Sequence, residues 1–132
     1  MTPVVVDTDV VSFLFKNDSR AQLYLPLLRN RELVVSFMTE AELEQWILLA
    51  GWGADRVRRF RGFMTGFASV PSSSGLIRQW AEVMVAARAN GRRIEAADAW
   101  IASTALLYGA ALITHNPKDY GGVPTLSVLS CS

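Results

Sequence analysis

The segment Val4-Val5-Val6-Asp7-Thr8-Asp9-Val10 decides the fold class of this chain. Its three consecutive valines are typical of a short strand that is buried on both faces, as central strands of parallel sheets are. The carboxylate of Asp7 would then lie at the edge of the sheet, where α/β proteins place their binding sites. Because a buried charge is costly unless it is paired, we expect the rest of the chain to supply a partner for Asp7.

Strand and helix patterns alternate along the rest of the chain. The pattern predicts strands at 3–6, 32–36, 67–71, 111–114 and 125–128, and helices at about 7–15, 21–28, 39–50, 54–67, 76–89 and 94–108. This alternation is typical of a mostly parallel sheet with helices on both faces. We therefore expect one α/β domain over residues 1–132, with three layers and a central sheet of four or five strands.

The overall composition excludes several classes of protein. The net charge of +1 excludes a protein that binds polyanions through bulk charge, although not one with a local basic patch. The single cysteine, Cys131, cannot form an internal disulfide, which suits the reducing cytosol. No apolar run approaches the length of a membrane span, and no secretory signal pattern is present at the start. We therefore expect a cytoplasmic protein with no membrane association.

Aromatic residues are numerous for a chain of this size. Four Trp and six Phe occur among 132 residues. A small core has little room for all of them, so the composition predicts a homodimer or an apolar groove for a partner.

Asp98 is an acidic residue on the apolar face of its predicted helix. That face is formed by residues three and four apart, namely Ile94, Ala97, Ile101, Ala105 and Tyr108. An acid in the first helical turn is also favoured by the helix dipole. The dipole explains the turn but not the face, so the position indicates a functional acid.

Other polar residues follow strands or begin helices. Glu42 fits a capping box with Thr39, but it also follows a buried strand and so lies near the sheet edge of Asp7. Asn116 follows the strand at 111–114 and is open to two interpretations, an Asx turn before Pro117 or a site residue. Three further residues are candidate accessory groups that could equally serve as caps or turn residues: Thr8, Thr114 and Asp119.

A shared location for these side chains predicts a metal site. Asp7, Glu42, Asp98 and Asn116 each follow a strand or face inward near one, and such strand ends meet along one edge of a parallel sheet. Two carboxylates about 4 Å apart repel by roughly 4 kcal/mol at an effective dielectric constant of about 20. A divalent cation would relieve that repulsion, and all-oxygen ligands suit Mg²⁺ or Mn²⁺. The only histidine, His115, has no Cys or His partner for zinc.

The motifs resemble those of PIN domains, and among them the VapC-like toxin nucleases of bacterial toxin–antitoxin pairs. The matching stretches run in order along essentially the whole chain: Val6 to Ser12, Thr39 to Leu43, Gly91 to Ala102, and Leu112 to Tyr120. The resemblance implies a PIN-like α/β/α fold. The chain departs from the family pattern at Asp9, where an Asn is common. Asp9 would therefore be either an extra metal ligand or a helix cap.

The resemblance further implies an activity, a cofactor and partners. It implies an endoribonuclease that uses Mg²⁺, or Mn²⁺, and an activated water to cleave RNA phosphodiester bonds. Asp7, Glu42 and Asp98 would hold the metal, Asn116 would take the fourth catalytic position, and Asp119 would assist. An antitoxin protein would cover the cleft. Arg92 and Arg93, just before the Asp98 helix, are the first candidates for RNA phosphate contacts.

Two alternatives stay open at this stage. The Asp-x-Asp arrangement of Asp7 and Asp9 after a strand also occurs in phosphatases of the haloacid dehalogenase type, in which Asp7 would be the nucleophile. The second alternative is a catalytically silent PIN-like interaction module. The retained set of repelling carboxylates argues against it.

Overall fold

The computed structural model describes residues 1–132 and contains five strands, six α-helices and one 3₁₀ turn. The strands are β1 (Thr2–Val6), β2 (Arg31–Ser36), β3 (Ala68–Val70), β4 (Ala111–Ile113) and β5 (Val128–Leu129). The helices are α1 (Thr8–Lys16), α2 (Ala21–Leu28), α3 (Phe37–Ala50), α4 (Ala54–Met64), α5 (Ser74–Ala89) and α6 (Ala96–Leu107). The 3₁₀ turn spans Pro117–Tyr120.

The five strands form one sheet in the order β3-β2-β1-β4-β5, and every neighbouring pair is parallel. This confirms the expected three-layer α/β fold, with the sheet fully parallel. The chain moves outward from β1 through β2 to β3, and then returns to the other side of β1 as β4. The order therefore reverses between β1 and β4, and the crevice at the carboxyl ends of such strands is where α/β sheets place their sites.

The valines of β1 divide the core into two layers. Val5 packs with residues of α5 and α6 on one face of the sheet. Val4 and Val6 point to the opposite face, where they pack with residues of α1 to α4. All three valines are completely buried, as the strand's period of two and its central position require.

The start of α3 differs from the sequence expectation. The helix begins at Phe37, and its N-cap is Ser36, whose hydroxyl accepts a hydrogen bond from the Met38 N–H at 3.1 Å. Thr39 is fully buried within the first turn, so the predicted capping box of Thr39 and Glu42 is wrong. Because Ser36 already caps the helix, the Glu42 carboxylate is free to contact other elements.

The last helix and the last strand also differ from their predicted bounds. Ile94 is buried but precedes α6, and Tyr108 is 49% exposed, so Tyr108 does not belong to the apolar stripe. Ser103 and Thr104 can be buried in its place because their hydroxyls donate to carbonyls of the preceding turn. The last strand, predicted at 125–128, is observed at Val128–Leu129, where it pairs with β4.

Much of the aromatic excess is used inside the chain. Aromatic rings from α1, α3, α4 and the segments that flank α4 contact one another in one cluster, formed by Phe15, Trp46, Trp52, Phe60, Phe63 and Phe67. This cluster fills the space between α4 and the face of the sheet that α1 to α3 cover. None of the helices combines the length and the apolar character needed to cross a bilayer.

Candidate active site

Asp7 lies at the carboxyl end of the central strand and is held by three donors. One carboxylate oxygen, Oδ1, accepts from the Thr8 N–H at 2.7 Å, which makes Asp7 the N-cap of α1. The other, Oδ2, accepts from the hydroxyls of Thr114 and Tyr120, each at 2.8 Å. Only 7% of Asp7 is exposed, so its carboxylate position is set by these contacts.

Burial raises the pKa of Asp7 to about 7, and the nearby charge of Asp9 adds to this effect. The hydrogen bonds from Thr114, Tyr120 and Thr8 oppose the rise, since they stabilise the ionised form. Asp7 is therefore only partly ionised near pH 7 in the metal-free chain, because burial without a cation favours its protonated form.

Asp98 lies in the first turn of α6, half-buried, with its carboxylate near the Tyr120 hydroxyl. Its Oδ1 is 3.4 Å from the Tyr120 hydroxyl, the same group that donates to Asp7. Burial raises the pKa of Asp98 to about 6, and the charges of Asp119 and Glu42 contribute next. The structure thus brings Asp98 into one electrostatic environment with Glu42 and Asp119.

Glu42 connects α3 to the start of α1. Its Oε1 accepts from the Thr8 hydroxyl at 2.7 Å, and that hydroxyl lies 3.1 Å from the hydroxyl of Thr39. Because Thr8 also donates its backbone N–H to Asp7, one residue links the carboxylates of β1 and α3. This contact is the one that the predicted capping box would have prevented.

Asp9 and Asn116 contact each other rather than Asp7. Asp9 Oδ2 accepts from the Asn116 side-chain amide at 2.9 Å and from the His115 N–H at 3.1 Å. Its Oδ1 accepts from the Val10 N–H at 2.7 Å in the first turn of α1. Burial raises the pKa of Asp9 as well. Asp9 therefore fixes the segment after β4 that carries Asn116.

Tyr120 is a site residue to which the sequence analysis assigned no role, although it ends the matching stretch Leu112 to Tyr120. It is 2% exposed, and its hydroxyl contacts both Asp7 and Asp98. The sequence held one indication of this role: the hydroxyl of a buried tyrosine usually has a hydrogen-bond partner. That partner could not be identified before the 3₁₀ turn was placed beside the carboxyl end of β1.

No salt bridge joins a cation of the chain to Asp7, Glu42 or Asp98. The three salt bridges join Arg20 to Asp18, Arg58 to Asp55, and Arg61 to Glu44, and all lie outside the acidic group. An unpaired set of carboxylate oxygens at a sheet edge fits a hard divalent cation in its donor chemistry.

The side chains are not gathered into a finished metal cage. No three His, Cys, Asp or Glu side chains lie in an arrangement that could hold a metal ion as they stand. The Tyr120 hydroxyl occupies part of the space between Asp7 and Asp98. Metal binding by three acids would therefore require Glu42 or Asp98 to change its side-chain torsion angles.

The predicted RNA-contacting arginines occupy different surroundings. Arg92 lies over the Gly121-Gly122 turn, where its guanidinium and its carbonyl oxygen approach the two glycines closely. Arg93 lines a cavity of about 210 Å³ together with Met84, Arg88 and Ile94. Both are exposed and neither forms a salt bridge.

Comparison with known proteins identifies a family and several relatives. A family model described as PIN domain matches residues 4–120. The chain is 31% identical to Ribonuclease VapC1 of Haemophilus influenzae strain R2866 over 128 residues, which is 92% of each chain. It is 29% identical to Ribonuclease VapC4 of Mycobacterium tuberculosis over 98 residues, or 73% of this chain and 75% of that one.

Solved structures give the same picture of the fold. A chain in the VapBC-1 structure from nontypeable Haemophilus influenzae superposes with a TM-score of 0.80 at 27% identity, over 98% of both chains. A chain of VapBC2 from Rickettsia felis, bound to a DNA fragment from the promoter, superposes with a TM-score of 0.84. The Rickettsia felis chain is 20% identical over 98% of both chains, so its similarity shows a shared fold only.

Proposed function

This chain belongs to the PIN domain family, and from that membership we propose that it is a metal-dependent endoribonuclease, the toxin of a toxin–antitoxin pair. The observation that carries the proposal is the group of Asp7, Glu42 and Asp98 from three different elements, at the sheet's switch point and without a cation from the chain. Support also comes from the VapC relatives, which are named ribonucleases.

The residues divide into those that would hold Mg²⁺ or Mn²⁺ and those that hold the ligands. Asp7 and Asp98 would bind the cation directly, and Glu42 and Asn116 would complete its shell directly or through waters. A divalent cation bound there lowers the pKa of a water and neutralises charge on the scissile phosphate. Asp119, exposed and near enough to raise the pKa of Asp98, would assist as an accessory group.

Two threonines and Asp9 fix the orientation of these groups. Thr114 donates to Asp7, and Thr8 donates its N–H to Asp7 and its hydroxyl to Glu42, so both carboxylates have hydrogen-bond partners within the chain. Asp9 holds the amide of Asn116, which favours a supporting role for Asp9 over that of an extra metal ligand. Glu42 or Asp7 would then orient the water for in-line attack on the phosphorus.

The substrate would be RNA, cut to leave a 5′-phosphate and a 3′-hydroxyl. Arg92 and Arg93 are exposed and free of salt bridges, and Arg92 packs beside Tyr120's neighbour Gly121. Arg92 is therefore the better placed of the two for a phosphate contact near the acids. Three of the four arginines of α4 are poorer candidates, because Arg56, Arg58 and Arg61 already contact Trp52, Asp55 and Glu44.

We also propose that a small antitoxin covers the acidic site. The structures with the same fold include toxin–antitoxin complexes. An antitoxin that inhibits here would place an Arg or Lys near the unpaired carboxylates. If the product of a neighbouring short reading frame binds the chain but leaves RNA cleavage unchanged, this part of the proposal is wrong.

The direct test is cleavage of total cellular RNA by the purified chain, with and without EDTA, followed by sequencing of the product ends. We expect cleavage that EDTA stops and that added Mg²⁺ or Mn²⁺ restores. Replacing Asp98 by Asn should abolish it, while the matched control Asp55→Asn, an exposed acid on α4, should not. Cleavage that persists in EDTA would contradict metal dependence.

The same experiment addresses the two alternatives. Family membership removes the fold-level basis for a haloacid dehalogenase-type phosphatase, and the commitment of Asp9 to Asn116 and His115 leaves it poorly placed as an acid or base. Hydrolysis of a phosphomonoester without RNA cleavage would nevertheless favour a phosphatase over a ribonuclease. A silent interaction module would cut neither substrate at any metal concentration.

A further inference from the structure

The hydroxyl of Tyr120 lies between the two acids that would bind the metal. It is 2.8 Å from Asp7 Oδ2 and 3.4 Å from Asp98 Oδ1. A phenol has one proton, so it donates to one carboxylate at a time, and the shorter contact is the one to Asp7. No other side chain donates to both acids.

The position of that hydroxyl is fixed by packing remote from the acids. The Tyr120 ring belongs to the core cluster on the α5 and α6 side of the sheet and is 2% exposed. Its carbonyl accepts from the Val123 N–H at 3.0 Å, and the following Gly122 carbonyl accepts from the Asn90 side-chain amide at 3.2 Å. The ring therefore cannot turn away from the site without disturbing this turn.

We propose that Tyr120 is a positioning residue, whose hydroxyl holds the Asp7 carboxylate in place beside Asp98 for the binding of one divalent cation. This inference rests on the proposed function. Hydrogen bonds to metal-binding carboxylates orient them, and losing such a partner typically costs 10–100-fold in metal affinity or activity. The tyrosine hydroxyl would supply that partner from the core, without contacting RNA.

A purely structural role is the competing explanation, and the chain offers a matched control for it. Tyr24 is also fully buried, and its hydroxyl contacts His115 Nδ1, the Cys131 N–H and, at 3.4 Å, the Thr114 carbonyl, but no acid. Removing either hydroxyl takes a hydrogen bond from a buried ring of the same size. Only the Tyr120 change should affect the metal.

The test compares Tyr120→Phe and Tyr24→Phe with the wild-type chain in calorimetric titrations with Mn²⁺. We expect Mn²⁺ affinity to fall about 10–100-fold in Tyr120→Phe and to stay unchanged in Tyr24→Phe. At saturating Mn²⁺, kcat for RNA cleavage should fall while KM stays the same, because a residue that is 2% exposed does not meet the substrate. Wild-type Mn²⁺ affinity in a folded Tyr120→Phe variant would overturn the inference.

A double variant separates orientation of the acids from general destabilisation. If Tyr120 acts through the acid pair, adding Tyr120→Phe to Asp98→Asn should weaken Mn²⁺ binding less than it does in the wild-type chain. An equal loss in both backgrounds would count against the inference, and this measurement applies even if the single variant has a reduced Tm.

The failures of the two proposals are distinguishable. A wild-type chain that neither binds Mn²⁺ nor cleaves RNA overturns the proposed function, and this inference with it. A wild-type chain that does both, alongside a Tyr120→Phe variant that is indistinguishable from it, overturns only the role of Tyr120.

Discussion

At Asp7 the fold keeps a carboxylate 7% exposed, with three hydrogen-bond donors and no paired cation. Neutral donors lower the cost of burying the charge but do not remove it, so burial still raises the pKa of Asp7 to about 7. Such a residue is costly in a metal-free chain and well suited to a metal-bound one. The same reasoning holds more weakly for Asp98, which is only half-buried.

The stability of the metal-free chain should therefore depend on pH. The folded-state pKa of Asp7 is raised from 3.8 to about 7, and that of Asp98 to about 6. The folded state thus binds protons that the unfolded state has released. This proton binding stabilises the folded chain fully below pH 3.8, and the stabilisation is lost as the pH rises through 6 and 7.

In thermal melts in EDTA, we expect Tm to fall by several degrees between about pH 5 and about pH 8. The Asp7→Asn variant should show a smaller fall, since one of the acids with a raised pKa is removed. A Tm that rises across this range in the wild-type chain would contradict the assignment.

Replacing Asp98 by Asn should separate function from stability. The amide keeps the shape of the side chain but removes a charge that Asp119 and Glu42 repel. We expect the metal-free variant to be at least as stable as the wild-type chain in EDTA melts, although it no longer cleaves RNA. A marked loss of Tm in EDTA would instead make Asp98 a structural residue.

At the scale of elements, the turn after the 3₁₀ segment joins the site to the start of α6. Gly122 packs against the Arg92 carbonyl oxygen and the Ala87 side chain so closely that no methyl group fits. This contact, with the Asn90 amide bond to the Gly122 carbonyl, places Tyr120 relative to α5 and α6. The turn is therefore a structural support for the acid pair.

The Gly122→Ala variant should be destabilised, because the added methyl meets backbone rather than a flexible side chain. Overpacking of this kind costs about 1–3 kcal/mol. The matched control is Gly62→Ala in the last turn of α4, where nothing lies within 4 Å of the added methyl. That change should stabilise by about 0.5–1 kcal/mol through helix propensity. Urea unfolding measures the free energy of unfolding of both variants. Equal values would show that the turn accommodates the added methyl group by a small backbone shift.

At the scale of the whole molecule, the most exposed large apolar side chains within helices lie on α3 and α5. Leu48 and Leu49 of α3 are 81% and 80% exposed, and Ile77 and Val85 of α5 are 54% and 70% exposed. Apolar patches of this kind mark interaction surfaces more often than isolated exposed leucines do. The aromatic excess first suggested self-association, but many of the aromatic rings pack within the chain. The prediction of a dimer therefore rests on these exposed aliphatic side chains.

Light scattering at micromolar concentration should accordingly give about twice the chain mass of 14.5 kDa. Glu substitutions at Leu48 and Leu49, compared with Glu substitutions at Ile77 and Val85, would show which helix carries the contact. A monomer at every concentration tested would contradict the dimer.

The sequence predicted much of the fold because its strongest signals are local. The valine run of β1 is buried on both faces in the central strand, and the helix and strand order follows from periodicity. Element ends were less predictable. The sequence predicted that α3 starts at Thr39, whereas in the structure the helix starts at Phe37 and Ser36 is its N-cap.

The amino-acid order by itself determined that Asp7, Glu42 and Asp98 follow or face a parallel sheet, because strand burial and helix faces depend on residues a few positions apart. The tertiary structure decided which of them meet and through what: Tyr120 between Asp7 and Asp98, Thr8 between Asp7 and Glu42, and Asp9 on Asn116. The physical reason is distance along the chain. These contacts join residues up to 113 positions apart, and no local pattern specifies the crossover that brings such segments to the same edge of the sheet.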